Sequence, residues 1–241
     1  MLRESITSSD IENVNTTVEQ ALQQQLFFEI EQRSADREVL RYGQAMRWDF
    51  KQLLTLSLSS RLIVGIRPQL LPDGYAGYRQ TPNQIINSAP KPPVCSPPPA
   101  HEISRLLGKW ENFVHTADER IDPFIACAIM HCQFEAIHPF GDGNRRTGRI
   151  LMVLYLAYHE LLTLLTRYLT GYTNRYRPEY YRLLAQVSIA DEWEPFSLFM
   201  LEGFYQQARE TKLMLMKSTS LKQQFREVGR QSGRKIPQNT H

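Results

Sequence analysis

The sequence predicts an all-α protein with one small β element. Apolar residues recur at three- and four-residue steps over most of the chain, as one face of a helix requires. No proline precedes Pro68, so nothing interrupts that pattern early. The breaks that follow are few and local.

From Ser9 to about Ser60 the pattern is helical: Leu22, Leu26 and Ile30 repeat at four-residue steps, and Val39, Tyr42 and Met46 continue at three and four. Between Pro68 and Pro99 the composition changes. Gly74 and Gly77 punctuate a short segment, Tyr78 to Ile86, expected to form a β-hairpin. The run from Lys91 to Pro99 (KPPVCSPPP) reads as an extended connector, because proline cannot stay in helices or central strands. A second helical run extends from Ala100 to about Met216, with breaks at Asp122-Pro123, His138–Gly143, Gly171–Pro178 and Asp191–Pro195. From about Lys217 the chain is polar and basic, contains Gly229 and Gly233, and is expected to fray. The resulting division is a helical N-terminal segment over 1–39, a main domain over 40–210 and a flexible tail over 211–241. No internal repeat is visible.

Composition narrows the function classes. The chain has 241 residues, 42% hydrophobic and 22% charged, which suits one substantial globular domain and argues against global disorder. A formal charge of +3 and a pI near 8.7 lack the dense basic surface of a dedicated nucleic-acid binder. Cys95, Cys127 and Cys132 are odd in number and show no framework spacing, which suits a reducing compartment. There is no CxxC pair, no HExxH and no GxxxxGK(S/T), which removes zinc-ribbon, zincin and P-loop readings. The N-terminus has no signal-type apolar run. The best apolar stretch, Ile150 to Tyr158, is far short of the roughly 20 residues of a membrane span. A soluble, cytoplasmic protein is expected.

One stretch carries chemistry: His138-Pro-Phe-Gly-Asp-Gly-Asn-Arg-Arg-Thr-Gly-Arg149. Phe124, Ala128, His131, Phe134 and Ile137 mark a helix ending near His138. Pro139, Gly141 and Gly143 allow a tight turn, and Asn144 is expected to cap a new helix running through ILMVLYLAY. A loop feeding a helix N-terminus presents backbone N–H groups and the positive end of the helix dipole, an anion site. Arg146 and Arg149, three apart, can project from one side, and guanidinium groups suit phosphate oxygens. Asp142 offers a hard oxygen for Mg²⁺ beside a polyphosphate. His138 at the loop mouth could take a proton from an incoming hydroxyl. A lone histidine at a helix end is usually structural, an Asp-Gly pair usually a turn, and an Arg-rich first turn usually a solvated face. Their co-occurrence in one short segment matches what phosphoryl or nucleotidyl transfer requires.

This stretch resembles the Fic-family signature H-x-F-x-(D/E)-G-N-G-R-x-x-R, matched by His138, Phe140, Asp142, Gly143, Asn144, Arg146 and Arg149. It departs at Arg145, where most AMP-transferring members have glycine; related Doc-type kinases carry lysine there. The run HCQFEAIHPF resembles the helix leading into the Fic loop. Tyr78 to Ile86 with its proline connector resembles the β-hairpin flap that positions target side chains. Tyr180, Tyr181 and Leu184, then Trp193 and Phe196, resemble the closing helices. The resemblance covers about residues 40 to 210. It implies a mostly helical fold, Mg²⁺-ATP as donor, and a Ser, Thr or Tyr hydroxyl of a protein as acceptor. By position, His138 would be the general base, Phe140 would fix the loop and Asp142 would bind Mg²⁺. Gly143 and Asn144, with the backbone N–H groups of Arg145 and Arg146, would cradle the α- and β-phosphates. Arg146 and Arg149 would hold the β- and γ-phosphates, and Tyr181 would border the adenine.

The segment from Ser8 to Asn13 has two readings. Ser9 with Glu12 fits a capping box that starts a helix. Ser8, Glu12 and Asn13 also match the inhibitory pattern (S/T)-x-x-x-E-(G/N) of many Fic proteins, which implies that Glu12 pairs with Arg149 and occupies the γ-phosphate space. The chain begins close to this motif, whereas longer members extend upstream, so a truncated or compact form is expected. The leading expectation is a self-inhibited protein adenylyltransferase. A Doc-like kinase, raised by Arg145, and a de-AMPylase in which Glu12 positions water are the alternatives. An inert interaction module would not need His138, Asp142, Asn144 and both arginines. A nucleic-acid role for the basic tail is disfavoured against solvated disorder. The expected partners are ATP and a protein substrate, with a homo-oligomer left open and no membrane.

Overall fold

The computed structural model describes residues 2–11, 14–26, 34–53, 55–75, 77–82, 96–117, 120–162 and 170–231. Ten α-helices appear among them: α1 Leu2–Asp10, α2 Val18–Leu26, α3 Ser34–Leu53, α4 Ser60–Leu70, α5 Ile103–Thr116, α6 Pro123–Ile137, α7 Asn144–Tyr158, α8 Thr170–Arg175, α9 Arg177–Ala190 and α10 Trp193–Gln231. No strand occurs among the described residues. None of the described helices is long and apolar enough to cross a membrane.

The α6–α7 pair is the axis of the fold. α6 starts where Asp122 caps it, accepting from Phe124 N at 2.9 Å, with Pro123 in the first turn, where a missing N–H costs nothing. Every α7 residue from Arg146 to Leu156 is buried, the pattern of a helix enclosed on all sides. Gly148 permits this closeness: a Cβ there would lie 2.4 Å from Glu135 Oε1 on α6. α5 buries Ile103, Leu107, Trp110 and Val114 along one stripe against α6, and Trp110 Nε1 donates to Met130 O at 2.9 Å. Each such large apolar side chain contributes about 1.5–3 kcal/mol by leaving water.

On the opposite flank α3 packs on α4, α1, α2 and α7. α1 is tied by Glu4, buried, which accepts from the backbone N of Thr170 at 3.3 Å and from its hydroxyl, and by Asp10, which accepts from Asn174 Nδ2 at 2.7 Å. These bonds tie the first helix to α8, far along the chain.

Four expectations are corrected. Ser9 does not start a helix: it lies in the last turn of α1 and is buried. Asn144 is not a cap but the first helical residue; Gly143 occupies the cap position, and no side chain caps there. The Gly171–Pro178 break narrows to Tyr176, because α8 continues through Gly171 and Pro178 sits harmlessly in the first turn of α9. The basic tail does not fray at Lys217. α10 continues to Gln231, since no proline or glycine intervenes before Gly229 and most of the residues are good helix formers. Its residues 212–228 are all exposed. The expected hairpin is represented by residues 78–82, which form no strand; residues 83–86 lie outside the described residues.

Candidate active site

The loop between α6 and α7 is built on two left-handed residues. His138, at φ 50° and ψ 58°, ends α6, and Gly143, at φ 87°, opens α7. A non-glycine residue in this region costs roughly 1 kcal/mol or more, so the loop tolerates His138 only because its surroundings hold it there. Asn144 closes the turn on itself: its Oδ1 accepts from Phe140 N at 2.8 Å and its Nδ2 donates to Phe140 O at 2.7 Å. Phe140 is fully buried, 5.9 Å from the ring of Tyr78. Thr147 ties the other end, with both its N and its hydroxyl donating to Gly143 O.

Arg79 braces the loop from outside. Its backbone N donates to Pro139 O at 2.8 Å and its Nε to His138 O at 2.9 Å. The remaining nitrogens reach Thr81 O at 3.1 Å and Pro98 O at 2.5 Å. One buried guanidinium thus joins the segment before the proline connector, the end of the connector itself and the loop.

His138 is 8% exposed, with Nδ1 3.4 Å from Glu135 O. When Nδ1 carries the hydrogen toward that carbonyl, the ring's lone pair lies on Nε2, the arrangement of a base. A second histidine, His131, lies behind the loop. Its Nε2 is 2.6 Å from the Tyr180 hydroxyl, and burial, aided by the nearby Arg149, pushes its pKa down to about 3. It is therefore a neutral structural histidine.

The arginines are all engaged. Arg149 donates from Nε to Ser8 Oγ at 2.7 Å and from Nη2 to Ser8 O at 2.9 Å. Arg146 is paired with Glu38 of α3 and lies 3.6 Å from Asp142 Oδ1. Arg145 places its guanidinium 4.9 Å above the ring of Tyr181, at cation–π distance. The N-terminal segment thus reaches Arg149 through Ser8, whereas the expected partner was Glu12. Glu12 and Asn13 lie outside the described residues. Arg145 and Tyr181, expected on polyphosphate and adenine respectively, touch each other.

Asp142 is largely exposed, its side chain 70% accessible, and Oδ1 accepts from Gly143 N at 2.5 Å. No group of three or more His, Cys, Asp or Glu side chains gathers among the described residues, so no all-protein metal cage exists there. A single accessible carboxylate beside an anion site still fits Mg²⁺, which keeps waters and completes its octahedron with substrate phosphates. The uncapped N-terminus of α7, with Arg146 and Arg149 on its first turns, gathers backbone N–H groups and positive charge of the kind that suits a polyphosphate.

Profiles of known families match residues 57–156 to the Fic/DOC family and residues 1–51 to the Fic/DOC family N-terminal region. The chain belongs to the Fic/DOC family. The N-terminal match covers Ser8 and Glu38, so the segment holding the arginines is part of the family pattern. A probable protein adenylyltransferase of Aquifex aeolicus is 35% identical over 91 residues, 38% of this chain and 27% of that protein. A protein adenylyltransferase Fic of Nematostella vectensis is 29% identical over 105 residues, 43% of this chain and 23% of that protein. The Fic/DOC chain thus spans about a quarter of these relatives. A crystal structure of a Fic family protein from Desulfovibrio desulfuricans superposes with a TM-score of 0.74 at 24% identity, covering 88% of this chain and 65% of that one. Fic-1 of C. elegans superposes at 0.67 with 20% identity, covering 91% and 64%. These two likenesses show the fold.

Three site residues were not foreseen: Arg79, Glu38 and Arg67 of α4. Each lies far from the loop in sequence, and none stands in a pattern that separates it from the other charged residues of its segment. Arg79 and Arg67 are marked only by burial and Glu38 only by its ion pair with Arg146, and neither a buried single charge nor a long-range pair has a local sequence signal.

Proposed function

We propose that this chain is a protein adenylyltransferase, moving AMP from Mg²⁺-ATP to a Ser, Thr or Tyr hydroxyl of another protein, under restraint from its own N-terminal segment. The observation that carries the reading is the loop from His138 to Gly143, which sets a buried imidazole beside an uncapped helix N-terminus with Arg146 and Arg149 on its first turns. The adenylyltransferase names of the Aquifex and Nematostella relatives support it.

In this reading the acceptor hydroxyl oxygen bonds to the α-phosphorus while the bond from that phosphorus to the pyrophosphate oxygen breaks. The hydroxyl proton goes to His138 Nε2, because a neutral imidazole is the strongest base available near pH 7. The α7 N–H groups stabilise charge on the phosphoryl oxygens, and the arginines hold the departing pyrophosphate. Asp142 would hold Mg²⁺, which would supply Lewis-acid charge stabilisation there. Asn144 contributes by locking the loop through Phe140, a positioning role.

Two features bear on the finer reading. Arg145 rests on Tyr181, so its charge is used on an aromatic face; this supports AMP transfer over a Doc-like transfer of phosphate. Ser8 already occupies Arg149 from the N-terminal side, which supports self-inhibition by the Ser8–Asn13 segment, with Glu12 as its carboxylate. The cytoplasm, with its ATP, suits this chemistry.

The deciding experiment labels lysate proteins with α-³²P-ATP and, separately, γ-³²P-ATP. Adenylyl transfer predicts label from the first only. Label from γ alone would establish kinase chemistry. Loss of AMP from a modified target would establish the hydrolytic reverse.

A further inference from the structure

α4 presents an apolar face of Leu62, Ile63, Ile66 and Leu70, and among them lies Arg67, only 5% exposed. Burying a guanidinium among aliphatic side chains is costly unless its hydrogens find acceptors. Arg67 finds one: Nη1 donates to Leu71 O at 2.9 Å. Its Nε is buried with no hydrogen-bond partner. Among the described residues no carboxylate pairs with it within 4.0 Å. A charged donor is thus held inside the protein with part of its hydrogen-bonding capacity unused.

The surroundings say what it faces. One glycine makes room for it and a second borders it. At Gly74 a Cβ would lie 2.4 Å from Arg67 Nη2, and at Gly143 a Cβ would lie 3.8 Å from its Cδ and 4.0 Å from its Nε. Gly143 is the residue that opens α7, so the unpartnered Nε borders the anion loop. Asp142 and Arg146, on either side of that glycine, both act on Arg67 electrostatically, with opposite sign. Helix α4 therefore delivers a further cation to the same small volume as Asp142 and Arg146.

We propose that Arg67 is an anion ligand of this site, donating to an oxygen of a bound polyphosphate on the Asp142 side of the loop. The proposal rests on the nucleotide reading above and adds a residue from outside the loop and its helix. A guanidinium suits the role because its planar donors can hold the α4 carbonyl on one side and a phosphate oxygen on the other. The packing of α4 already fixes the side chain, so little side-chain freedom is lost when a ligand arrives.

The test uses the full chain in a Glu12→Ala background and measures calorimetric affinity for Mg²⁺-ATP, Mg²⁺-tripolyphosphate and adenosine. Arg67→Gln should weaken tripolyphosphate and ATP by roughly tenfold or more, the usual loss for a charge-assisted hydrogen bond, and leave adenosine unchanged. Arg67→Lys should recover part of the loss. Gly74→Ala should weaken tripolyphosphate as well, because its Cβ displaces the guanidinium without removing the charge. Unchanged tripolyphosphate affinity in Arg67→Gln overturns the proposal. So does a fall in all three affinities together with a lower melting temperature, which would make Arg67 a structural tie for the end of α4. If the parent binds neither ATP nor tripolyphosphate, the nucleotide reading itself fails, and the role of Arg67 falls with it.

Discussion

Glu38 of α3 pairs with Arg146 of α7 across 108 residues of sequence, and the guanidinium it holds is one of three on the first turns of that helix. The side chain of Arg146 is only 6% accessible, so the pair is weakly screened on the arginine side, whereas Glu38 is 26% accessible. A phosphate entering the loop must therefore compete with a carboxylate already in place. Glu38→Gln should raise Mg²⁺-ATP affinity severalfold, on the order of 1 kcal/mol, and lower the melting temperature slightly by loosening α3 from α7. Calorimetry and a thermal melt check both; weaker ATP binding in this variant would mean that Glu38 positions Arg146 for phosphate instead of competing for it.

His138→Ala should reduce label transfer by about 10²–10⁴-fold while ATP affinity stays close to the parent's, because the imidazole acts on the acceptor and not on the nucleotide. Turnover of the alanine variant at the parental rate would remove His138 from the mechanism.

Glu12→Ala and Glu12→Gly should both activate auto-modification. The glycine variant should melt lower if Glu12 is helical, since glycine costs up to about 1 kcal/mol in a helix relative to alanine. Ser8→Ala should activate less, because it removes the hydroxyl that accepts from Arg149 Nε and keeps the Ser8 carbonyl that accepts from Nη2. Equal inactivity of all three with Mg²⁺-ATP and lysate would leave the N-terminal segment a purely structural brace.

Arg79→Leu should cost about 2–4 kcal/mol of stability and most of the activity, since it strips four acceptor carbonyls' worth of bracing down to the single backbone bond at Pro139. Arg79→Lys should recover stability better than activity, because an ammonium cannot span His138, Thr81 and Pro98 together. A lysine variant with parental turnover would show that the loop holds its shape unaided.

Two buried groups on different helices set opposing pH dependences. Burial pushes the carboxyl of Asp49 on α3 up to about 8, from an ordinary 3.8. The unfolded chain releases that proton first, so stability associated with Asp49 is lost as pH rises from about 4 to about 8. His131, pushed down to about 3, acts in reverse: its contribution is present above about 6.5 and is lost as pH falls toward 3. Asp49→Asn should therefore raise the melting temperature progressively between pH 5 and pH 8.5 and do little near pH 4. A shift of equal size at every pH would mean that Asp49 is ionised in the folded protein.

The sequence made the loop legible because its parts are contiguous: a helix end, a turn of glycines, an acidic residue and spaced arginines fall within one short stretch. The α6 start at Asp122-Pro123 was legible for the same reason, cap and proline being neighbours. Asn144 was misread because its side chain bonds backward to Phe140 and closes the loop instead of capping forward, a choice set by the left-handed Gly143. Ser9 was misread because a capping box describes local options, and the packing of α1 on α3 decided among them. The fraying assigned to the basic tail followed from its polarity and from Gly229 and Gly233, yet the polar residues between Lys212 and Val228 are mostly helix formers continuing a helix already anchored on the core. Arg79, Glu38 and Arg67 were out of reach, since each acts on the loop through a contact that only tertiary structure creates.

The groups that occupy Arg149 and Arg146 both precede them in the chain: Ser8 holds Arg149, and Glu38 pairs with Arg146. During synthesis, which proceeds from the N-terminus, α1 and α3 emerge first. When the arginines leave the ribosome their counter-groups are already present and tethered, so the loop has no stage at which it must form with its positive charge unanswered.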